Sequence, residues 1–228
     1  MRKVDQIPSA QILFVGDSRT GRSSLINAFT QNYLYFCDEV IPSTPRTSWI
    51  TEVDEKKISL SIWDDKLKNV YLRNIPHNFA CVFIILYSID NPDSLKNVTK
   101  IWAPEVKLLA PDAQIMLVGT KTDVRESSAT EYILELKGQK TVTFEEGQKV
   151  AEEIGAFWYL ESSTKDRGGV EKIFQLAARK ALEQLETKAI SSVKYPIKKW
   201  DVKAEVKEKK KIYNKSENTE TKKRCLIM

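Results

Sequence analysis

The sequence predicts an α/β domain built on a mostly parallel sheet with helices on both faces. Three observations carry this. Apolar runs of strand length alternate with longer helix-like segments. The runs are almost continuously apolar, as strands buried on both faces are. Polar segments with glycine or hydroxyl residues follow the strand ends, where such sheets bind ligands.

The strand candidates are Gln11–Val15, Ile58–Trp63, Cys81–Tyr87, Gln114–Val118 and Phe157–Leu160. Between them lie helix candidates at Gly21–Thr30, Ser94–Leu109, Thr143–Ile154 and Gly169–Lys188. In the last, Val170, Ile173, Phe174, Ala177, Ala178, Ala181 and Leu182 share one face of a 3.6-residue period. The longest apolar run, Phe79–Tyr87, has nine residues. A membrane span needs about 20, so this run is expected to be a buried strand.

The chain has 228 residues, 42% apolar and 29% charged, enough for one medium domain with a sizeable core. Its net charge of +5 is unevenly placed. From Ala189 to Met228 twelve Lys/Arg face five Asp/Glu, a local +7, which leaves −2 for the first 188 residues. The folded body is expected to span 1–188, and 189–228 to form a flexible basic tail too polar to fold alone. Three cysteines (Cys37, Cys81, Cys225) make no disulfide framework and suit a reducing compartment. One histidine, His77, and the lack of C-x-x-C argue against zinc and against a His-based triad. The first residues hold no apolar stretch of signal-peptide length, so a cytosolic body is expected.

Directly after the first strand comes Gly16-Asp17-Ser18-Arg19-Thr20-Gly21-Arg22-Ser23-Ser24. The spacing and the strand-to-helix context match G-x4-G-K-S/T, with Arg22 in the lysine position. In such a loop backbone N–H groups and the helix N-terminus face phosphate, and the hydroxyl of Ser23 would ligate Mg2+. A guanidinium keeps the charge but is a planar fork, so Arg22 is not a neutral exchange. Alone, this string also fits an ordinary glycine-containing turn.

Two further strand ends decide the matter. One continues as Gly119-Thr120-Lys121-Thr122-Asp123, the other as Glu161-Ser162-Ser163-Thr164-Lys165. Guanine has adjacent N1–H and N2–H donors, which a carboxylate such as Asp123 can accept together. With these three motifs in order, the chain resembles the small GTPases of the Ras superfamily. Their N/T-K-x-D is matched by Thr120, Lys121 and Asp123, and their S-A-K by Ser163, Thr164 and Lys165. The resemblance narrows to the Rho/Rac branch. Ser88–Ser94, Ile101–Lys107 (W-x-P-E-V) and Gly155–Glu161 look like its segments, and about 124–142 has the length of its helical insert. The likeness covers roughly residues 8 to 186. It implies a six-stranded, mostly parallel phosphate-loop G domain with five principal helices plus the insert, binding GTP/GDP with Mg2+. It also implies that the Lys121 stem lies along the base.

Several departures bear on hydrolysis. The family's D-T-A-G-Q-E appears as Asp64-Asp65-Lys66-Leu67-Lys68-Asn69. Asp64 is retained and would hold Mg2+ through water. Leu67 takes the place of the glycine that meets the γ-phosphate, and Lys68 that of the glutamine that orients the attacking water. The Mg2+-binding threonine of Val-Pro-Thr aligns with Ser43, with Thr44 one residue away. Ser18 and Arg19 stand where small residues are common, and Ser18 crowds the hydrolytic geometry. No intact catalytic residue remains, so GTP hydrolysis is expected to be weak or absent. An ordinary cycling switch and a nucleotide-free binding module are the other readings.

Bland roles are expected for several conspicuous residues. Trp63, Trp102 and Trp158 read as packing residues, His77 as a solvated loop residue and Cys81 as an inert core thiol. Asp65 reads as an ordinary solvated carboxylate. The sequence closes on Lys222-Lys223-Arg224-Cys225-Leu-Ile-Met228, of C-a-a-X form, and Met228 favours farnesyl over geranylgeranyl at Cys225. One lipid holds weakly. Lys207, Lys209, Lys210, Lys211, Lys215 and the terminal cluster would add attraction to an anionic leaflet. The expected partners are guanine nucleotide, a membrane surface, and effector and regulator proteins. A slightly acidic body argues against nucleic acid.

Overall fold

The computed structural model describes residues 7–30, 46–64 and 80–194. The chain divides into two units, Met1–Thr187 and Lys188–Met228, and the first carries the fold. Its elements are β1 (Ser9–Gly16), α1 (Arg22–Thr30), β2 (Arg46–Val53), β3 (Lys56–Asp64), β4 (Ala80–Ser88) and α2 (Pro92–Asn97). A π-helical turn (Val98–Trp102) follows, then α3 (Ala103–Leu109), β5 (Gln114–Thr120) and a 3-10 turn (Thr122–Glu126). The remainder is α4 (Ser128–Leu136), α5 (Phe144–Ile154), β6 (Trp158–Ser162) and α6 (Arg167–Lys194).

One six-stranded sheet has the order β2-β3-β1-β4-β5-β6. All neighbours run parallel except β2 and β3. β1 sits where the strand order reverses, so the loop after Gly16 opens into the crevice such sheets use for ligands. Side chains alternate across the sheet with the two-residue period of strands. Ile12, Phe14, Ile84, Leu86, Met116 and Val118 fill one core with Leu25 of α1 and Ile173, Phe174 and Ala177 of α6. Leu13, Val15, Phe83, Ile85 and Leu117 fill the other with Val98, Val106 of α3 and Ala151 and Ile154 of α5.

The structure departs from the sequence reading in its details. β2 supplies the sixth strand, which no apolar run marks, and α4 lies within the insert expected at about 124–142. The expected helix Ser94–Leu109 starts earlier and is interrupted by a π turn, marked by the Ala103 N–H bonding to the Val98 carbonyl. α6 continues to Lys194, beyond the Lys188 at which the apolar face fades. Strand β6 is displaced from the expected Phe157–Leu160 toward Ser162.

α5 shows how the sequence sets its own ends. Thr143 Oγ1 accepts from the Glu146 N–H at 3.2 Å, and Glu146 Oε2 accepts from the Thr143 N–H at 2.8 Å. This reciprocal cap starts the helix, and Gly155, at φ 70°, ends it. Gly147 inside α5 looks like a weak point until its surroundings are considered. A Cβ there would lie 2.1 Å from the Tyr159 hydroxyl and 2.3 Å from that of Tyr87. Alanine would gain about 1 kcal/mol of helix propensity but lose about 1–3 kcal/mol to overpacking. Gly147→Ala is therefore expected to lower the urea midpoint, and an unchanged or higher midpoint would show that the two tyrosines yield freely.

Candidate functional site

The loop after β1 is shaped by backbone sterics. Gly16 has φ 144°, and a Cβ on it would meet the Leu86 carbonyl oxygen of β4 at 2.3 Å, so only glycine fits. Arg19 (φ 66°) and Gly21 (φ 85°) also have left-handed backbones. Left-handed residues alternating with ordinary ones turn successive N–H groups inward, as in anion-binding nests. The first turn of α1, with Ser23 and Ser24, adds N–H groups that have no partner within the helix.

Side chains then brace the loop. Thr20 is buried, and its Oγ1 donates to the Asp17 carbonyl at 2.8 Å. The Asp17 carboxylate accepts from Asn97 Nδ2 at 2.7 Å and from Trp102 Nε1 at 2.8 Å. Residues five apart on an α-helix point about 140° away from each other. The π turn between Asn97 and Trp102 inserts the extra residue that lets both side chains serve one carboxylate.

Arg22 turns onto its own loop. Its Nη1 donates to the Gly16 carbonyl, and its Nε lies 3.5 Å from Asp64 Oδ1 at the end of β3. The Arg22 side chain is 12% exposed and that of Asp64 1%. Ser23 Oγ donates to Asp64 Oδ2 at 2.5 Å, while Asp64 Oδ1 is buried without a hydrogen bond. A buried carboxylate oxygen that faces Arg22 without a hydrogen bond, beside a hydroxyl with spare lone pairs, fits hydrated Mg2+. Ser23 and Asp64 are thus the described residues that would hold it. Among the described residues no group of three acidic, His or Cys side chains converges.

The other half of the site lies at the same sheet edge. Thr120 ends β5, and its buried hydroxyl lies 2.6 Å from the Thr20 carbonyl and 2.9 Å from that of Tyr87. Lys121 follows in a left-handed conformation (φ 61°), and its Nζ pairs with Asp90 Oδ2 at 3.0 Å. The pair anchors the tip of the lysine stem. Asp123 Oδ1 accepts from Ser163 Oγ at 2.7 Å, and Oδ2 pairs with Lys165 Nζ at 2.7 Å. Ser163 Oγ also accepts from the Lys165 N–H at 3.2 Å. Thr164 lies between them, half-buried. Burial pushes the Asp123 carboxyl up, but the hydrogen bonds from Lys165 and Ser163 and the Lys165 charge outweigh it, leaving it below the ordinary carboxylate range. Asp123 is therefore an ionised acceptor at neutral pH.

Of the residues singled out from sequence, Gly16–Ser24, Asp64, Thr120, Lys121, Asp123 and Ser163–Lys165 gather at this one edge. Ser43, Thr44, Asp65, Leu67, Lys68, Cys37, His77 and Cys225 lie outside the described residues. Asp90, Asn97 and Trp102 were not assigned to the site from sequence. Asp90 lies within the family-like Ser88–Ser94 segment, and Trp102 adds a bond to Asp17 to the packing role its sequence suggests. It does pack on the second core, as Trp63 does. Trp158 is a correction: as the first residue of the last strand it is 45% exposed and is no core residue.

The fold and site together define a nucleotide-binding domain of the phosphate-loop type. The model of the Ras family matches residues 11–183, and the chain belongs to that family. It is thus a small GTP-binding domain of the signalling-switch type. Family members bind guanine nucleotide, generally with Mg2+, and work with regulator and effector proteins.

The lowered Asp123 pKa carries a sign. Its contribution to stability is present above the unfolded carboxylate value of about 3.9 and is lost as pH falls through the lowered folded value. Lys165→Met is expected to raise the titration midpoint of Asp123, followed by carboxyl-carbon NMR, toward the ordinary value. Identical midpoints would show that Lys165 is not the cause.

Proposed function

We propose that this chain is a membrane-anchored, Rho-like GTP-binding signalling protein that hydrolyses GTP slowly or not at all. The observation that carries the nucleotide reading is the joined site. An ionised Asp123 braced by Ser163 and Lys165 shares a sheet edge with the Gly16–Ser23 nest, and Thr120 bonds the two halves. A base-reading carboxylate so constructed argues against a module that has given up nucleotide. The Rho assignment rests on Ser88–Ser94, on Trp102-Ala-Pro-Glu-Val106, and on an insert in which α4 occupies Ser128–Leu136.

Slow hydrolysis rests on residue chemistry. Lys68 cannot accept a hydrogen bond from water as glutamine does. Leu67 places bulk where the family has glycine. Ser18 is exposed beside the left-handed Arg19 and obstructs an inserted arginine finger, a group worth about 10³–10⁵ in rate. The on state is then set by expression, location and partners, with cytoskeletal effectors the class the Rho likeness suggests. Anchoring follows from Cys225 in C-a-a-X form and the basic residues before it.

Nucleotide extracted from the purified full chain is the direct test. GTP is the expected finding, GDP would indicate an ordinary cycling switch, and an empty site would refute the nucleotide reading. Single-turnover phosphate release is expected near the uncatalysed rate, and a rate ordinary for the family would overturn slow hydrolysis. Cys225→Ser should move the protein from membrane to soluble fractions, and unchanged fractionation would overturn the anchor.

A further inference from the structure

Beside the base-reading loops lies a second cluster of titratable groups. Glu161 of β6 is 7% exposed at its side chain and takes a bidentate contact from Arg125, Nη1 to Oε2 at 2.5 Å and Nη2 to Oε1 at 2.8 Å. Its Oε1 also accepts from the Tyr159 hydroxyl at 2.8 Å and from that of Tyr87 at 3.3 Å. The two phenols are 2.7 Å apart, and burial holds both protonated far above their ordinary titration range. Arg125 Nη2 also donates to the Val142 carbonyl at 2.8 Å, while the Val142 N–H donates to Ile89 at 3.0 Å. Arg125 thereby links the ends of β4, β5 and β6. The arrangement depends on two glycines. Gly119, the register partner of Glu161, would place a Cβ 2.7 Å from the Tyr87 hydroxyl, and Gly147 would collide with both phenols.

The placement of this pair is its most informative property. Arg125 stands two residues after Asp123, and Glu161 two residues before Ser163. The same two segments are bonded directly at the site by Ser163 Oγ to Asp123 Oδ1. A fork-to-carboxylate contact constrains both distance and angle, so it sets how far apart the two segments stand. Without Arg125, the loop bearing Asp123 would keep its bonds to Ser163 and Lys165 but lose the brace on its far side. Removing Arg125 would also leave Glu161 buried with only neutral partners, which is unfavourable.

We propose that the Arg125–Glu161 pair is a positioning device for guanine recognition, holding Asp123 at the separation from Ser163–Lys165 at which its carboxylate meets the 2-amino group of the purine. This rests on the reading that Asp123 receives guanine. Neither residue touches the base, so both act through Asp123.

Inosine diphosphate lacks only the 2-amino group and isolates that contact. The test measures dissociation constants for GDP and IDP on the full chain and on Glu161→Gln, Arg125→Lys and the double variant Arg125→Gln/Glu161→Gln. In the unchanged protein GDP is expected to bind roughly ten to a hundred times tighter than IDP, the worth of a hydrogen bond to a charged group. Glu161→Gln should cut that preference by about tenfold, chiefly through weaker GDP binding. Arg125→Lys, which keeps the charge but not the fork, should fall between, and the double variant should be no worse than Glu161→Gln. An unchanged GDP-to-IDP ratio, or equal losses for both nucleotides, would reduce the pair to a structural brace and overturn the proposal. Should Glu161→Gln fail to fold, Arg125→Lys and Tyr159→Phe decide by the same ratio. A wild-type protein that binds neither nucleotide overturns the guanine reading itself, which separates that failure from this one.

Discussion

The hydroxyl of Thr120 is buried between two backbone carbonyls, that of Thr20 in the phosphate loop and that of Tyr87 at the end of β4. A hydroxyl has one proton to donate, so it serves one of these two carbonyls at a time, and removing it takes a buried donor away from both. Much of the site is arranged around it. Thr20 fixes the middle of the phosphate loop, and Tyr87 fixes the strand that also holds Gly16 in place. Thr120 itself begins the segment that carries Lys121 and Asp123. The loop after β1 and the segment after β5 are therefore parts of one mechanical unit.

Within that unit the two ends have different characters. At the base end the charges are paired locally, Lys121 with Asp90 and Lys165 with Asp123, leaving the Asp123 carboxylate fixed and ionised. At the phosphate end Arg22 lies across the Gly16 carbonyl and Asp64. The planar fork thus bonds to the loop while its charge faces the end of β3, which a lysine ammonium on its thin stem would do less rigidly.

Much of this was legible in the sequence because apolar strands, periodic helices and motif residues advertise themselves. β1, β4 and β5 stand out since both faces of each strand are buried, and β3 through the alternation of buried Ile58, Leu60 and Ile62. β2 does not, because an edge strand of polar alternation, Arg46-Thr-Ser-Trp-Ile-Thr-Glu-Val53, has only β3 to pair with. α4 was legible only through the length of the insert, for a related reason. Only Leu134 of it is buried, while Tyr132, Ile133 and Leu136 are exposed, so it has no apolar face to signal a core. Asp123 was identifiable from its own chemistry. Asp90, Asn97, Trp102 and Arg125 were not, since each acquires its role from a partner distant in sequence.

The π turn at Val98–Trp102 gives the helix after β4 a phase as well as a position. An ordinary α-helical path over the same residues would rotate Trp102 away from the side of Asn97, and with it the buried Ala103 and Val106 of α3. The phosphate loop would keep its backbone and lose one of the two donors that steady Asp17. Loop geometry therefore depends on residue count in a segment that touches no ligand. The register of this helix thus serves two masters, the packing of Val98, Ala103 and Val106 in the second core and the two donors that Asn97 and Trp102 give to Asp17.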